Sequence, residues 1–112
     1  MLPPTDDVKN WMQMFRWIVK LIRDEFGIEE QRLVRGAVLE SELGLVIEQV
    51  EDVLGSTAQA FGIRFPPATL NEVMKLDELC MLAAWLKGLY KQPEFLSDGF
   101  VGACRTNNPG AS

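Results

Sequence analysis

Between Val8 and Phe26 large apolar side chains recur at three- and four-residue steps: Val8, Trp11, Met12, Phe15, Ile18, Val19, Ile22 and Phe26. That spacing lines them along one face of an α-helix and does not fit the two-residue alternation of a half-buried strand. The segment is therefore expected to fold as a helix whose apolar face needs cover. Thr5, followed by Asp6 and Asp7, offers an N-cap and acidic residues for the first turn. Gly27 offers the C-terminal stop. Trp17 and Leu21 widen the stripe, so one further face calls for cover by the tail or a partner.

The rest of the chain carries weaker helical signals. From Ile28 to Ser41 the period is lost, although Ile28, Leu33, Val38 and Leu39 are apolar enough to tuck under a bundle. Loops of this length usually carry packing or function of their own. A second helix is predicted from Leu45 to Ala60, with Val46, Val50, Val53, Thr57 and Phe61 inward and Gly62 ending it. Phe65-Pro66-Pro67 breaks the chain. A short turn of helix over Thr69 to Met74 follows. The last helix is expected to start near Asp77 as its cap, with Leu76 packing behind. It continues through Leu79, Leu82, Ala83, Leu86 and Tyr90 to Pro93. Residues 93–112 read as a C-terminal tail, partly disordered, part of which Phe95, Leu96, Phe100 and Val101 can dock. There is no strand signal and no internal repeat. The expectation is an all-α, four-helix domain over 1–92 with a long first loop and a short third helix.

Composition narrows the functions. The chain has 112 residues, enough for one compact domain, and 47% of them are hydrophobic, as in an ordinary globular protein. Sixteen acidic against eleven basic residues give a net charge of −5. This disfavours nucleic acid, which demands a basic face, and favours partners with basic patches. No histidine is present, which removes the commonest general base and transition-metal ligand. Cys80 sits in an apolar helical run and reads as a small buried hydrophobe. Cys104 reads as a free thiol in a polar tail. They share no CxxC spacing, so zinc is disfavoured. A disulfide between them stays open, with a reducing compartment the simpler expectation. The acidic start has no basic-then-apolar leader pattern, and no apolar run is long enough to span a membrane. A cytoplasmic protein is expected.

Several short pieces follow one another along the chain: Phe26-Gly27-Ile28, Glu42-Leu43-Gly44-Leu45, Phe61-Gly62-Ile63-Arg64-Phe65-Pro66, then Val73 and Leu76-Asp77-Glu78-Leu79. In these pieces, without a gap over most of residues 15–90, the chain resembles the acyl carrier protein family. That resemblance implies an acyl-carrier-like four-helix bundle. It also implies a serine at the head of the second helix, within Asp-Ser-Leu, bearing 4′-phosphopantetheine. Here that triplet is Val46-Ile47-Glu48. Isoleucine has no nucleophilic atom, so the linkage cannot form at Ile47, and the preceding aspartate is also missing.

Two other serines bear on this. Ser41 lies six residues upstream between Glu40 and Glu42, where a loop hydroxyl or cap is the plainer reading. Ser56 lies about two and a half turns past Ile47 and reads as helix surface. In the family the head of the second helix faces partner enzymes. Val46 and Ile47 there are either a contact patch or side chains buried by a rotated helix start. Glu48 and Asp52 keep some of the family's acidic partner face and Glu51 adds to it, whereas Ala58 and Gln59 replace usual carboxylates. The expected partner-binding residues are thus Val46, Ile47, Glu48, Glu51 and Asp52, with no catalytic residue, no cofactor and no metal. The expected function is an acyl carrier protein-like interaction module tied to fatty-acid or polyketide-type biosynthesis. Its expected partners are synthase or acyltransferase enzymes with basic patches. A carrier modified at Ser41 or Ser56, and a helical adaptor unrelated to acyl transfer, are the alternatives. An enzyme is disfavoured because no nucleophile and base are paired.

Overall fold

The computed structural model describes residues 3–111 and is all-α. Five α-helices follow one another: α1 Trp11–Phe26, α2 Ile47–Phe61, α3 Thr69–Glu72, α4 Leu76–Leu86 and α5 Asp98–Asn107, with a 3-10 turn at Glu30–Arg32. The only β feature among the described residues is an isolated antiparallel bridge between Val38 and Lys75. No helix among them is long and apolar enough to cross a membrane.

Helix α1 begins later than Thr5. Asn10 is the cap, its side chain accepting from the Gln13 N–H at 3.0 Å, while Gln13 Oε1 accepts from the Lys9 N–H at 2.6 Å. This reciprocal pair satisfies two amide donors at once and outcompetes Thr5, whose carbonyl is taken by a turn to Val8. The buried face consists of Met14, Trp17, Ile18, Val19, Leu21 and Ile22. Trp11, Phe15 and Phe26 are only half-buried, and Met12 is exposed. The inner face is therefore turned toward Trp17 and Leu21, and the chain supplies the cover itself. Trp17 packs edge-on against Phe61 of α2 at 4.8 Å between ring centroids, and its Nε1 donates to the Pro3 carbonyl. Gly27 closes the helix in the left-handed region (φ 66°), donating to the Arg23 carbonyl.

The long first loop is knitted to the segment before α4. Leu39 N–H donates to the Met74 carbonyl, Leu76 N–H to Ala37 and Asp77 N–H to Arg35, each at 2.9 Å. These bonds satisfy loop amides that burial of Leu33, Ala37, Leu39, Leu43 and Leu45 would otherwise strand. Val38, expected inside, is half-buried.

The start of α4 also differs from expectation. Lys75 is its cap residue and Leu76 its first helical residue. Glu78 Oε1 accepts from the N–H groups of both Met74 and Lys75, so Asp77 falls inside the helix. The helix stops at Leu86, well short of Pro93. Gly88 turns left-handed (φ 83°), and the Leu89 N–H returns to the Ala84 carbonyl. Leu82, Ala83, Ala84, Trp85 and Leu86 are all buried, so the second half of α4 is enclosed all round, which hides its 3.6-residue period.

The C-terminal segment docks through Leu96, Phe100 and Val101, which are buried. Residues 98–107 form α5, whose Phe100, Val101 and Cys104 join the common core with Leu96. Asn108, buried, fastens its end: Oδ1 accepts from the Arg64 N–H, and Nδ2 donates to the carbonyls of Arg64 and Cys104. The Ser97 N–H donates to Glu72 Oε1, tying the start of α5 to α3. Buried amides held this way cost far more to release than exposed ones.

Candidate functional site

The head of α2 is where large apolar side chains meet solvent. Val46, extended at φ −80°, is the cap residue, and Ile47 is the first residue of the helix. A valine side chain cannot accept a hydrogen bond, so the first amides of α2 lack the side-chain cap that Asn10 gives α1. Gln49 Oε1 reaches back to the Val46 N–H at 3.0 Å and fixes the approach of the chain. Gly44 (φ 69°) and the Leu45 N–H bonded to the Leu39 carbonyl complete the turn that delivers it. Val46 is 53% exposed and Ile47 57% exposed, so the helix start does not rotate them inward.

Ile47 forms one lip of a groove of about 260 Å³ between α2, α3 and the first loop. Its floor is apolar, made by Leu39, Leu45, Val50 and Val73. Leu70 and Asn71 bring α3 to its side, and Met74, 66% exposed, lines it as well. Glu40 lines this groove and also a shallower depression shared with Val46, Ile47 and Glu48. Around the corner Glu51 lines a second groove of about 250 Å³ with Leu54, Gly55 and the Pro66-Pro67 break. Glu48, Glu51 and Asp52 are all exposed. The structure therefore brings Val46, Ile47 and Glu48 together in one depression, places Glu51 at a separate groove, and leaves Asp52 exposed on the same helix.

Sequence reasoning missed Met74, Leu70 and Asn71 as groove residues. Their only signal was position in or just after the short helix that follows Pro66-Pro67, which periodicity does not resolve. Of the serines, Ser41 is exposed in the turn before α2, and Ser56 is half-buried in the middle of it.

The cysteines lie elsewhere. Both are free and buried, including Cys104, which the sequence placed in a polar tail. Burial pushes the Cys80 thiol well up, with the Asp77 charge adding to it. Burial, followed by the charge of Glu72, pushes Cys104 up to about 11. Neither is a thiolate near neutral pH, so neither is positioned as a nucleophile. Asp77 itself keeps one buried carboxylate oxygen, Oδ1, without a hydrogen-bond partner. Among the described residues no group of three His, Cys, Asp or Glu side chains converges as metal ligands would.

Fold and site together define a small all-α protein with an apolar groove at a helix head, Glu40 in its wall and Glu48 in the adjoining depression. No protein-family model, curated protein or solved structure matches the chain.

Proposed function

We propose that this chain is an acyl-carrier-like helical bundle without the attachment serine, acting as a non-catalytic interaction module. Its contact surface is the head of α2: Val46, Ile47, Glu48, Glu51 and Asp52. The observation that carries this reading is the place of Ile47, the first residue of α2, more than half exposed beside an apolar groove. The site would need a hydroxyl there to hold 4′-phosphopantetheine, and Ile47 presents only hydrocarbon, so the residues present do not fit that group. What they do fit is a protein surface. Exposed branched side chains give an apolar centre, and Glu40, Glu48 and Glu51 give a negative rim that steers cationic partners. Synthases or acyltransferases of fatty-acid or polyketide-type biosynthesis, bearing basic patches, are the partners this reading names.

Co-expression with a phosphopantetheinyl transferase of broad specificity, followed by intact-mass measurement, tests the proposal. The mass is expected to stay that of the unmodified chain; a gain of one pantetheine group overturns the reading. One observation favours a second reading. Ser41 is an exposed hydroxyl in the turn just before α2, so a mass gain abolished by Ser41→Ala would make the chain a carrier loaded from an unusual position.

A further inference from the structure

Charge is segregated along this chain more sharply than its net value suggests. From Val8 to Arg23 there are four basic residues, Lys9, Arg16, Lys20 and Arg23, and no acidic one. From Gly36 to Ile63 there are five acidic residues, Glu40, Glu42, Glu48, Glu51 and Asp52, and no basic one. On α1 the positions of Arg16, Lys20 and Arg23 share the outward stripe with Met12, since steps of four and three residues keep one helix face. Lys9 precedes the helix by three positions from Met12. Lys9, Arg16 and Lys20 are exposed, and Met12 is 40% exposed between them. The ion pairs among the described residues are those of Arg23 with Asp24 and Glu30, which leaves Arg16 and Lys20 unpaired. The outer face of α1 from Met12 to Lys20 is thus a flexible apolar side chain set among free cations, with the Arg23–Asp24 pair beyond it.

The groove at the head of α2 has the opposite chemistry. It is an apolar cleft lined by exposed Ile47 and Met74, with unpaired Glu40 in its wall; Glu48 lies with Glu40 in the adjoining depression that shares Ile47, and Glu51 lines the neighbouring groove. A free fatty acid would set its carboxylate beside those glutamates, an arrangement that like charges disfavour. An apolar anchor flanked by lysine and arginine matches on both counts. Thioether side chains adapt to irregular clefts, and Met12 brings one.

We propose that this groove receives α1 of a second copy of the chain, with Met12 seated between Ile47 and Met74. In that contact Lys9, Arg16 and Lys20 face Glu40, Glu48 and Glu51. Each copy carries both surfaces, so a two-fold pair makes the contact twice. The inference rests on the reading of the α2 head as a protein-contact surface, and it names the occupant.

Sedimentation of the whole chain, from micromolar to millimolar concentration at low ionic strength, tests it. Reversible self-association is expected, weakened by about tenfold or more at roughly 0.5 M salt, where exposed charges are screened within a few ångströms. The double variants Arg16→Glu with Lys20→Glu, and Glu48→Lys with Glu51→Lys, are each expected to be monomeric alone. An equimolar mixture is expected to associate again, which also shows that both are folded. A wild-type chain that stays monomeric at millimolar concentration overturns the inference. So does association indifferent to salt, or reversed variants that pair with themselves as the parent does. A monomeric parent with an unchanged intact mass removes the second copy as occupant and leaves the non-carrier reading in place. A pantetheine mass gain removes that reading whatever the oligomeric state.

Discussion

Met14 and Ile47 are both large apolar side chains near the start of a helix, yet Met14 is wholly enclosed and Ile47 is 57% exposed. Met14 lies on α1, the helix most closely packed against α4, and its neighbours Ile18 and Ile22 are sealed with it. That helix opens on a side-chain cap, Asn10, which satisfies an amide the helix leaves bare. Ile47 opens a helix whose cap residue is valine, with no acceptor to offer. One head is built for stability and the other gives stability up. Exposed hydrocarbon and missing caps are poor choices for a fold alone, which is why the second head is where an interaction is to be sought.

The comparison can be broken by measuring both heads. Met14→Ala, which empties a sealed site, is expected to lower unfolding free energy by about 2–5 kcal/mol in urea titration. Asn10→Ala, which removes the cap of α1, is expected to cost about 1 kcal/mol in the same titration. At the other head the sign reverses. Val46→Asp supplies the missing acceptor near the positive end of α2 and is expected to add about 0.5 kcal/mol. The gain is small because Glu48 lies close by. Ile47→Gln is expected to change stability by less than about 0.5 kcal/mol either way, as exposed positions do. A large loss on Ile47→Gln would mean that this side chain holds the fold together.

Much of the architecture was legible in the sequence. Gly27 and Gly62 marked two helix ends, and both turn left-handed where the sequence placed the stops. Val50, Val53, Thr57 and Phe61 of the α2 stripe are buried as their spacing implied, whereas Val46, read as inward with them, is the exposed cap residue ahead of the helix. Three features escaped for physical reasons. The cap of α1 was misplaced because Thr5 and Asn10 both begin acceptable caps, and only the return bond from Gln13 decides between them. The end of α4 was overrun because its second half is apolar all round, so Leu86 and Tyr90 looked continuous across Gly88. Helix α5 was read as tail because Gly99, Gly102 and its polar end lower its helical signal, while its hold comes from Asn108 and Arg64, distant in sequence. At the site, the position of Ile47 at the head of α2 was legible. The groove it lines was not, since Met74 and Leu70 are distant from it in sequence and the bond from Leu39 to Met74 is a long-range loop contact.

Of all these measurements, intact mass bears most directly on the central claim that the head of α2 touches proteins and carries no prosthetic group. The parent chain and the triple variant Val46→Asp, Ile47→Ser, Glu48→Leu are co-expressed side by side with the same phosphopantetheinyl transferase. The account predicts one added pantetheine group on the variant and none on the parent. A parent chain that takes up the group contradicts it.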